Sequence, residues 1–188
     1  TQATRETFST VGETLVPLDT PESLAVFARS VEATRTSKSH LLNDRSSRSH
    51  CLVKVHAKTG DGTRVCIMFV DLAGSERVAR TGATGEAKHE AQAINGSLSA
   101  LGRVVKMLGE RSRGVNNTRS ANRAPPGHVP YRDASLTMLL RDSFGGGSCT
   151  SVVINVAGET THVDETACSL RFGERMSVVR NEPTRVLG

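Results

Sequence analysis

The sequence predicts an α/β fold, and three observations carry that expectation. Residues 51–57 alternate apolar and polar side chains, Gly60-Asp61-Gly62 supplies a turn, and an apolar run follows at 65–70. That pattern reads as an antiparallel hairpin. Apolar residues recur at helical spacing around residues 20–31, 89–108 and 163–178, and a β-branched stretch at 149–156 falls between helical segments. Strands interleaved with helices argue for a layered α/β architecture.

The elements follow in order. Thr20 offers a capping hydroxyl, Pro21 suits the first helical position, and Glu22 meets the positive end of the helix dipole. Leu24, Phe27, Ala28 and Val31 then place one apolar face of this helix on a core. The polar stretch 34–50 reads as an exposed loop. In 51–57, Cys51, Val53, Val55 and Ala57 share one side while Lys54 and His56 take the other, the mark of a strand with one solvated face. The return strand at 65–70 is apolar on both faces and is expected deeper in the sheet.

A long helix is expected from about residue 89 to 108, with Ile94, Leu98, Leu101, Val105 and Leu108 along one stripe. Residues 109–127 are rich in Arg, Asn, Ser and Pro and read as a flexible insertion. A short helix at about 135–141 runs into the glycine stop Gly145-Gly146-Gly147. Residues 149–156 read as another strand, 163–178 as the last helix, and Pro183 sits in an extended tail.

With 188 residues the chain is expected to form one domain. Hydrophobic residues at 37% and charged residues at 23% set aside disordered and fibrous classes. Lys+Arg 24 against Asp+Glu 19 gives +5, which favours an acidic partner without choosing among nucleic acid, anionic membrane and acidic protein. The four cysteines, Cys51, Cys66, Cys149 and Cys168, form no CxxC pair and no zinc spacing, so buried, reduced thiols in a cytosolic protein are expected. The apolar run at 65–70 is too short to span a bilayer. The first residues carry neither a signal peptide nor an initiator methionine, and the chain reads as a fragment.

Two segments carry chemistry. The first is Asn43-Asp44-Arg45-Ser46-Ser47-Arg48-Ser49-His50, just before a strand. Its serines and arginines can offer hydroxyls to magnesium and hydrogen bonds to phosphate oxygens. Taken alone it fits a Ser-rich solvated loop slightly better. The second is Asp71-Leu72-Ala73-Gly74-Ser75-Glu76, at the end of the 65–70 strand, where ligands of open α/β sheets gather. Asp71 can order a magnesium-bound water there, and Gly74 can bring a backbone N–H against a terminal phosphate. An ordinary Asp-containing turn is the competing account. Arg48 and Glu76 have opposite charges and can close a bridge that couples both loops to one phosphate.

Together these segments resemble the two switch motifs of kinesin motors. The likeness continues through Glu90-Ala91, Ile94-Asn95-Gly96-Ser97-Leu98-Ser99-Ala100-Leu101-Gly102, His128-Val129-Pro130-Tyr131-Arg132-Asp133, Leu136-Thr137, Leu139-Leu140, Asp142-Ser143, Glu165-Thr166 and Leu170-Arg171-Phe172. It covers roughly residues 10 to 185, with several motifs in order. The resemblance implies part of a three-layer α/β/α kinesin-type P-loop NTPase with a mixed central sheet. Residues 1–180 would be the C-terminal half of that motor domain and 181–188 the start of the neck linker, which Asn181 and Pro183 resemble.

It also implies a microtubule-dependent ATPase using ATP and magnesium. Ser46, Ser47 and Arg48 would sense the γ-phosphate and the metal, with Ser47 a metal ligand, and Asn43 and His50 would shape that loop. Asp71, acting on the metal through water, Gly74 and Glu76 would form the second switch. Lys88, Arg103, Lys106, Arg111, Arg113, His128, Tyr131, Arg132 and Asp133 would face tubulin. Nucleic acid and membrane insertion are not expected.

Departures from the family pattern are Gly96 and Ser135, where lysine is usual; Arg111, Arg113, Arg119 and Arg123 of the 109–127 stretch either offer replacement charge or belong to a solvated linker. No G-x-x-x-x-G-K-[ST] occurs in the chain. The phosphate cradle would come from an N-terminal half, and this chain alone is expected to be inactive. A non-catalytic microtubule-binding module of the same family is the alternative reading. A Ras-like GTPase is disfavoured because no Asn-Lys-x-Asp accompanies the Asp-x-x-Gly.

Overall fold

The computed structural model describes residue 8 and residues 10–37, 49–74, 86–115 and 128–183. The chain divides into two compact units, residues 9–74 and residues 75–187 with the first eight residues.

In the 9–74 unit, helix α1 spans Pro21–Ser37. Its start is fixed as the sequence indicates. Ser23 N–H donates to Thr20 Oγ1 at 3.1 Å and Thr20 N–H donates to Ser23 Oγ at 3.1 Å, a reciprocal cap. The expected apolar face is not buried: Leu24 is 51% exposed, Ala28 is exposed, and Phe27 and Val31 are half-buried. Periodicity names the face, but burial needs a partner surface.

Strands β1 (Cys51–Lys58) and β2 (Arg64–Asp71) pair antiparallel, in register from Cys51↔Asp71 to Lys58↔Arg64. The connecting turn depends on Gly62 at φ +86°, a conformation that side chains disfavour. Asp61 Oδ1 accepts the Thr63 N–H at 3.0 Å, and Thr59 N–H donates to Thr63 O at 2.9 Å, closing the loop. Hydrogen bonds from Thr59 and Thr63 hold the Asp61 carboxyl below its ordinary range. Lys54 Nζ lies 3.4 Å from Glu13 Oε1, an exposed pair worth at most about 1 kcal/mol.

The depth expected of β2 is not observed. Phe69 is 61% exposed and Ile67 50%, and among the described residues the sheet has two strands only. The strand expected at 149–156 runs without ladder pairing. Its β-branched residues favour extended backbone, but a strand is defined by its partner. A two-stranded hairpin by itself is at best marginally stable.

The other unit is built on helix α2, Glu86–Val115. Leu101, Val105 and Leu108 of the expected stripe are buried, Ile94 and Leu98 half-buried, and Ala100 and Val104 join the core. Against this face pack a 3-10 turn at Tyr131–Asp133, the short helix α3 (Ser135–Leu139) and helix α4 (Val163–Ser177). Val129, Leu136, Leu140, Phe144 and Met176 complete the core. The thiols expected to be buried are not: Cys66, Cys149 and Cys168 are exposed.

Helix α2 runs past residue 108, which corrects the boundary of the flexible stretch: residues 109–115 are helical, and 116–127 lie outside the described residues. Gly109 is a packing site, not a stop. A Cβ there would stand 3.1 Å from Val178 Cγ2 and 3.8 Å from Arg175 O, so its bareness admits the end of α4.

The glycine stop after α3 is steric as well as conformational. Gly145 sits at φ +78°, and a Cβ would meet Leu108 Cδ2 at 2.6 Å. At Gly146 a Cβ would lie 2.5 Å from the Asp142 Cα, an atom that cannot swing aside. Gly146→Ala in the full-length protein is therefore expected to lower stability by about 1–3 kcal/mol, read as an earlier urea midpoint at constant slope.

Asn181 fastens the tail to this loop. Its Oδ1 accepts the Gly145 N–H at 2.7 Å, and its Nδ2 donates to Ser143 O at 2.8 Å and Ser148 O at 2.7 Å. Glu182 N–H then donates to Gly146 O at 2.9 Å. The extended 149–156 segment meets α4 at Gly173, where a Cβ would lie 3.0 Å from Ile154 Cγ1.

Candidate functional site

Of the two sequence-predicted switch segments, the described residues hold the ends nearest the hairpin. Asn43, Ser46, Ser47, Arg48 and Glu76 lie outside the described residues, and so does the expected Arg48–Glu76 bridge. Asp71 is the last residue of β2, exposed, at the strand's carboxyl end as expected. Gly74 follows three residues on, half-buried.

His50 immediately precedes β1, and its side chain reaches the second segment. The Ala73 N–H donates to His50 Nδ1 at 3.0 Å. Ala73 is 5% exposed, so its amide is one that must be paired inside the protein. The bond fixes the neutral tautomer: Nδ1 accepts and Nε2 carries the proton. Burial pushes the imidazole below its ordinary range. Because the folded value is depressed, the tie is fully present above the ordinary imidazole pKa. It is lost as pH falls through the folded value. Asp71 is the charged group at the adjoining strand end.

The metal chemistry expected here needs hard oxygen donors, and an exposed carboxylate at a strand end suits a magnesium-bound water. Among the described residues no group of three or more His, Cys, Asp or Glu is arranged to hold a metal.

The second set of predicted residues gathers on α2 and the turn after it. Arg103, Lys106 and Arg113 lie exposed on α2, Arg132 and Asp133 lie exposed on the turn packed against that helix, and His128 is exposed just before it. Lys88 is in α2, with its side chain outside the described residues. Arg103 and Asp133 meet each other: Arg103 Nη2 donates to Asp133 Oδ2 at 2.7 Å and Nε at 3.3 Å. Two charges expected to reach outward thus join α2 to the turn.

Tyr131 also faces inward. Its hydroxyl donates to Phe144 O at 2.6 Å, and burial raises its pKa against the opposing pull of Arg141 and Arg111. The Arg141 guanidinium stands 5.4 Å from the Tyr131 ring centre and 5.7 Å from that of Phe8. Arg111 is half-buried on α2, not on a mobile insertion. Arg119 and Arg123 lie outside the described residues.

The sequence marked Thr137 only within the Leu136-Thr137 likeness and gave it no role; it is 1% exposed, and its Oγ1 lies 2.7 Å from Tyr131 O and 2.8 Å from Ala134 O. A threonine flanked by Leu136 and Met138 in the short helix was the available signal. The clasp formed by Asn181 left none, since its partners lie 31 to 38 residues earlier. Among the described residues no helix is long and apolar enough to cross a membrane.

Known proteins share this arrangement of segments. The family model of the kinesin motor domain matches residues 2–179. The Arabidopsis thaliana kinesin-like protein KIN-14I is 40% identical over 177 residues, 92% of this chain and 17% of its own length. Kinesin-like protein 2 of Schizosaccharomyces pombe is 37% identical over 182 residues, 94% of this chain and 21% of its own. The chain thus spans about a fifth of the length of these relatives.

Among solved structures, the motor and motor homology domain of Kar3Vik1 superposes with a TM-score of 0.66 at 32% identity. That match covers 88% of this chain and 41% of the other. A KIF14 dimer with AMP-PNP in complex with a microtubule gives 0.56 at 33% identity, over 64% and 30%. With a family model matching most of its length and relatives at this identity, the chain belongs to the kinesin motor domain family, and its α/β elements are those of a kinesin motor fold.

Proposed function

We propose that this chain supplies the nucleotide-sensing switches and the microtubule-facing surface of a kinesin-type motor ATPase. One observation carries the reading: the Asp71–Ala73–Gly74 segment stands at the carboxyl end of β2, bonded through the Ala73 N–H to His50 at the root of the Ser46-Ser47-Arg48 loop. The described ends of the two segments, His50 and Ala73, are thus bonded at one end of one hairpin, which supports the reading. The AMP-PNP and microtubule of the KIF14 complex support the same ligands for this family member.

In this reading Ser46, Ser47, Asn43 and Gly74 hold the terminal phosphate end of ATP, and Ser47 and Asp71, the latter through water, hold magnesium. Bound together, nucleotide and metal supply an electrophilic phosphorus and neutralise its oxygens. Arg48 and Glu76 close across the site, and Glu76 orients the attacking water. Arg103, Lys106, Arg111, Arg113, His128, Tyr131, Arg132, Asp133 and Lys88 form or support the tubulin face. Arg103, Asp133 and Tyr131 act there by shaping the turn, and the exposed basic side chains supply attraction to an acidic partner. The phosphate cradle comes from an N-terminal half bearing the P-loop. Residues 1–180 complete the motor domain, 181–188 begin the neck linker, and the assembly is cytoskeletal.

The test is steady-state ATP hydrolysis by the full-length protein with and without microtubules. Magnesium-dependent turnover that rises about tenfold or more on adding microtubules is the expected result. Microtubule binding without turnover would replace the motor with a non-catalytic microtubule-binding module.

A further inference from the structure

We propose that His50 is a positioning residue that yokes the two nucleotide-sensing segments, holding the 72–74 backbone to the root of the 43–48 loop through its Nδ1. The functional meaning of the yoke rests on the reading given above; its existence does not.

The backbone ladder between β1 and β2 ends at the pair Cys51↔Asp71. Beyond that pair the next tie across the two chains is a side chain, with His50 Nδ1 accepting the Ala73 N–H at 3.0 Å. A histidine suits this place for three reasons. Its ring is flat and stiff, so it sets a fixed distance. Its neutral form presents a lone pair on Nδ1, which a lysine, arginine or apolar side chain cannot. Ala73 is nearly fully buried, so solvent cannot readily replace the lost acceptor.

The consequence lies in what flanks each end of the bond. On one side, Ser49, Arg48, Ser47 and Ser46 immediately precede His50; on the other, Gly74 immediately follows Ala73. A displacement of the loop by a phosphate must pass through His50 to continue into β1. The same side chain is fastened to the amide beside Gly74. A backbone movement at His50 is therefore passed to the amide beside Gly74, and a movement at Ala73 is passed to the residue that follows Ser49. A bistable element needs a stiff coupling of this kind to convert one ligand contact into the movement of two loops.

The experiment uses the full-length protein and three replacements of His50. Asparagine places an acceptor oxygen close to where Nδ1 stands, glutamine carries it one methylene too far, and alanine removes it. Amide exchange by mass spectrometry in the peptide covering residues 70–75 is read with and without AMP-PNP. Exchange of the Ala73 amide is expected to quicken by about fivefold or more in H50A and H50Q, the loss of one hydrogen bond, and to stay near the parent in H50N. AMP-PNP is expected to slow exchange in this peptide in the parent and in H50N, and to have little effect on it in H50A and H50Q.

Unchanged exchange in H50A, or exchange in H50N as fast as in H50A, would overturn the proposal. Should the variants separate as expected while AMP-PNP leaves the parent peptide unchanged, the positioning role stands and the nucleotide-sensing reading falls. A general loosening of the fold would quicken exchange in α2 peptides of all three variants alike, and that result also counts against a specific yoke.

Discussion

Replacing Glu76 with alanine in the full-length protein is expected to cut microtubule-stimulated ATP turnover by at least about a hundredfold, the usual scale for a group that helps activate a nucleophile. Nucleotide affinity is expected to stay within about threefold of the parent, because a carboxylate that orients water acts in the transition state and adds little to ground-state binding. Glu76 follows Gly74 by two residues, on the segment that leaves β2 at Asp71. Its proposed partner Arg48 lies two residues before His50. Stopped-flow binding of a fluorescent nucleotide and steady-state hydrolysis separate the two effects: kcat and kcat/KM should fall together. A variant with near-normal microtubule-stimulated turnover would remove Glu76 from the role of orienting the attacking water.

The second large effect concerns folding. Residues 1–188 expressed alone are expected to aggregate or remain largely unprotected, and to become ordered when the N-terminal half of the motor domain is supplied. The observed sheet has two strands among the described residues, with Val65, Ile67, Phe69 and Val70 of β2 exposed by 39%, 50%, 61% and 37%. Val153 of the unpaired 149–156 segment is 82% exposed. Leaving such a side chain wet forfeits roughly 1.5–3 kcal/mol of burial, against a margin of about 5–15 kcal/mol for a whole domain. An apolar strand with an open edge also invites association with other chains. Sedimentation and hydrogen exchange decide the matter: a monomer with slowly exchanging amides in β1 and β2 would refute the expectation.

What could be read from the sequence shares one property: its causes lie within a few residues of each other. The cap made by Thr20 and Ser23, the proline at the helix start, the Gly60-Asp61-Gly62 turn, the stripe of α2 and the glycine stop at 145–147 each depend on neighbours in the chain. The motif segments were legible for the same reason, since each is a short run of residues, and their order along the chain pointed to the family.

Tertiary structure decided everything that depends on a distant partner. Gly109 has the composition of a helix breaker, yet α2 continues through it because Val178, far along the chain, packs where a side chain would stand. Residues 149–156 have strand composition yet form no ladder among the described residues, since propensity favours an extended backbone but cannot provide the neighbouring strand. Tyr131 and Arg103 are polar residues near a surface turn, and only packing shows that one hydroxyl turns in to Phe144 and one guanidinium turns to Asp133. The bond from the Ala73 N–H to His50 spans 23 residues. By itself the sequence marked most of the helices, the hairpin and, through the order of its motifs, the family. Which faces are covered, which charges are spent on one another and which loops are tied together came from the fold alone. Those outcomes are contact energies between segments that no local window contains.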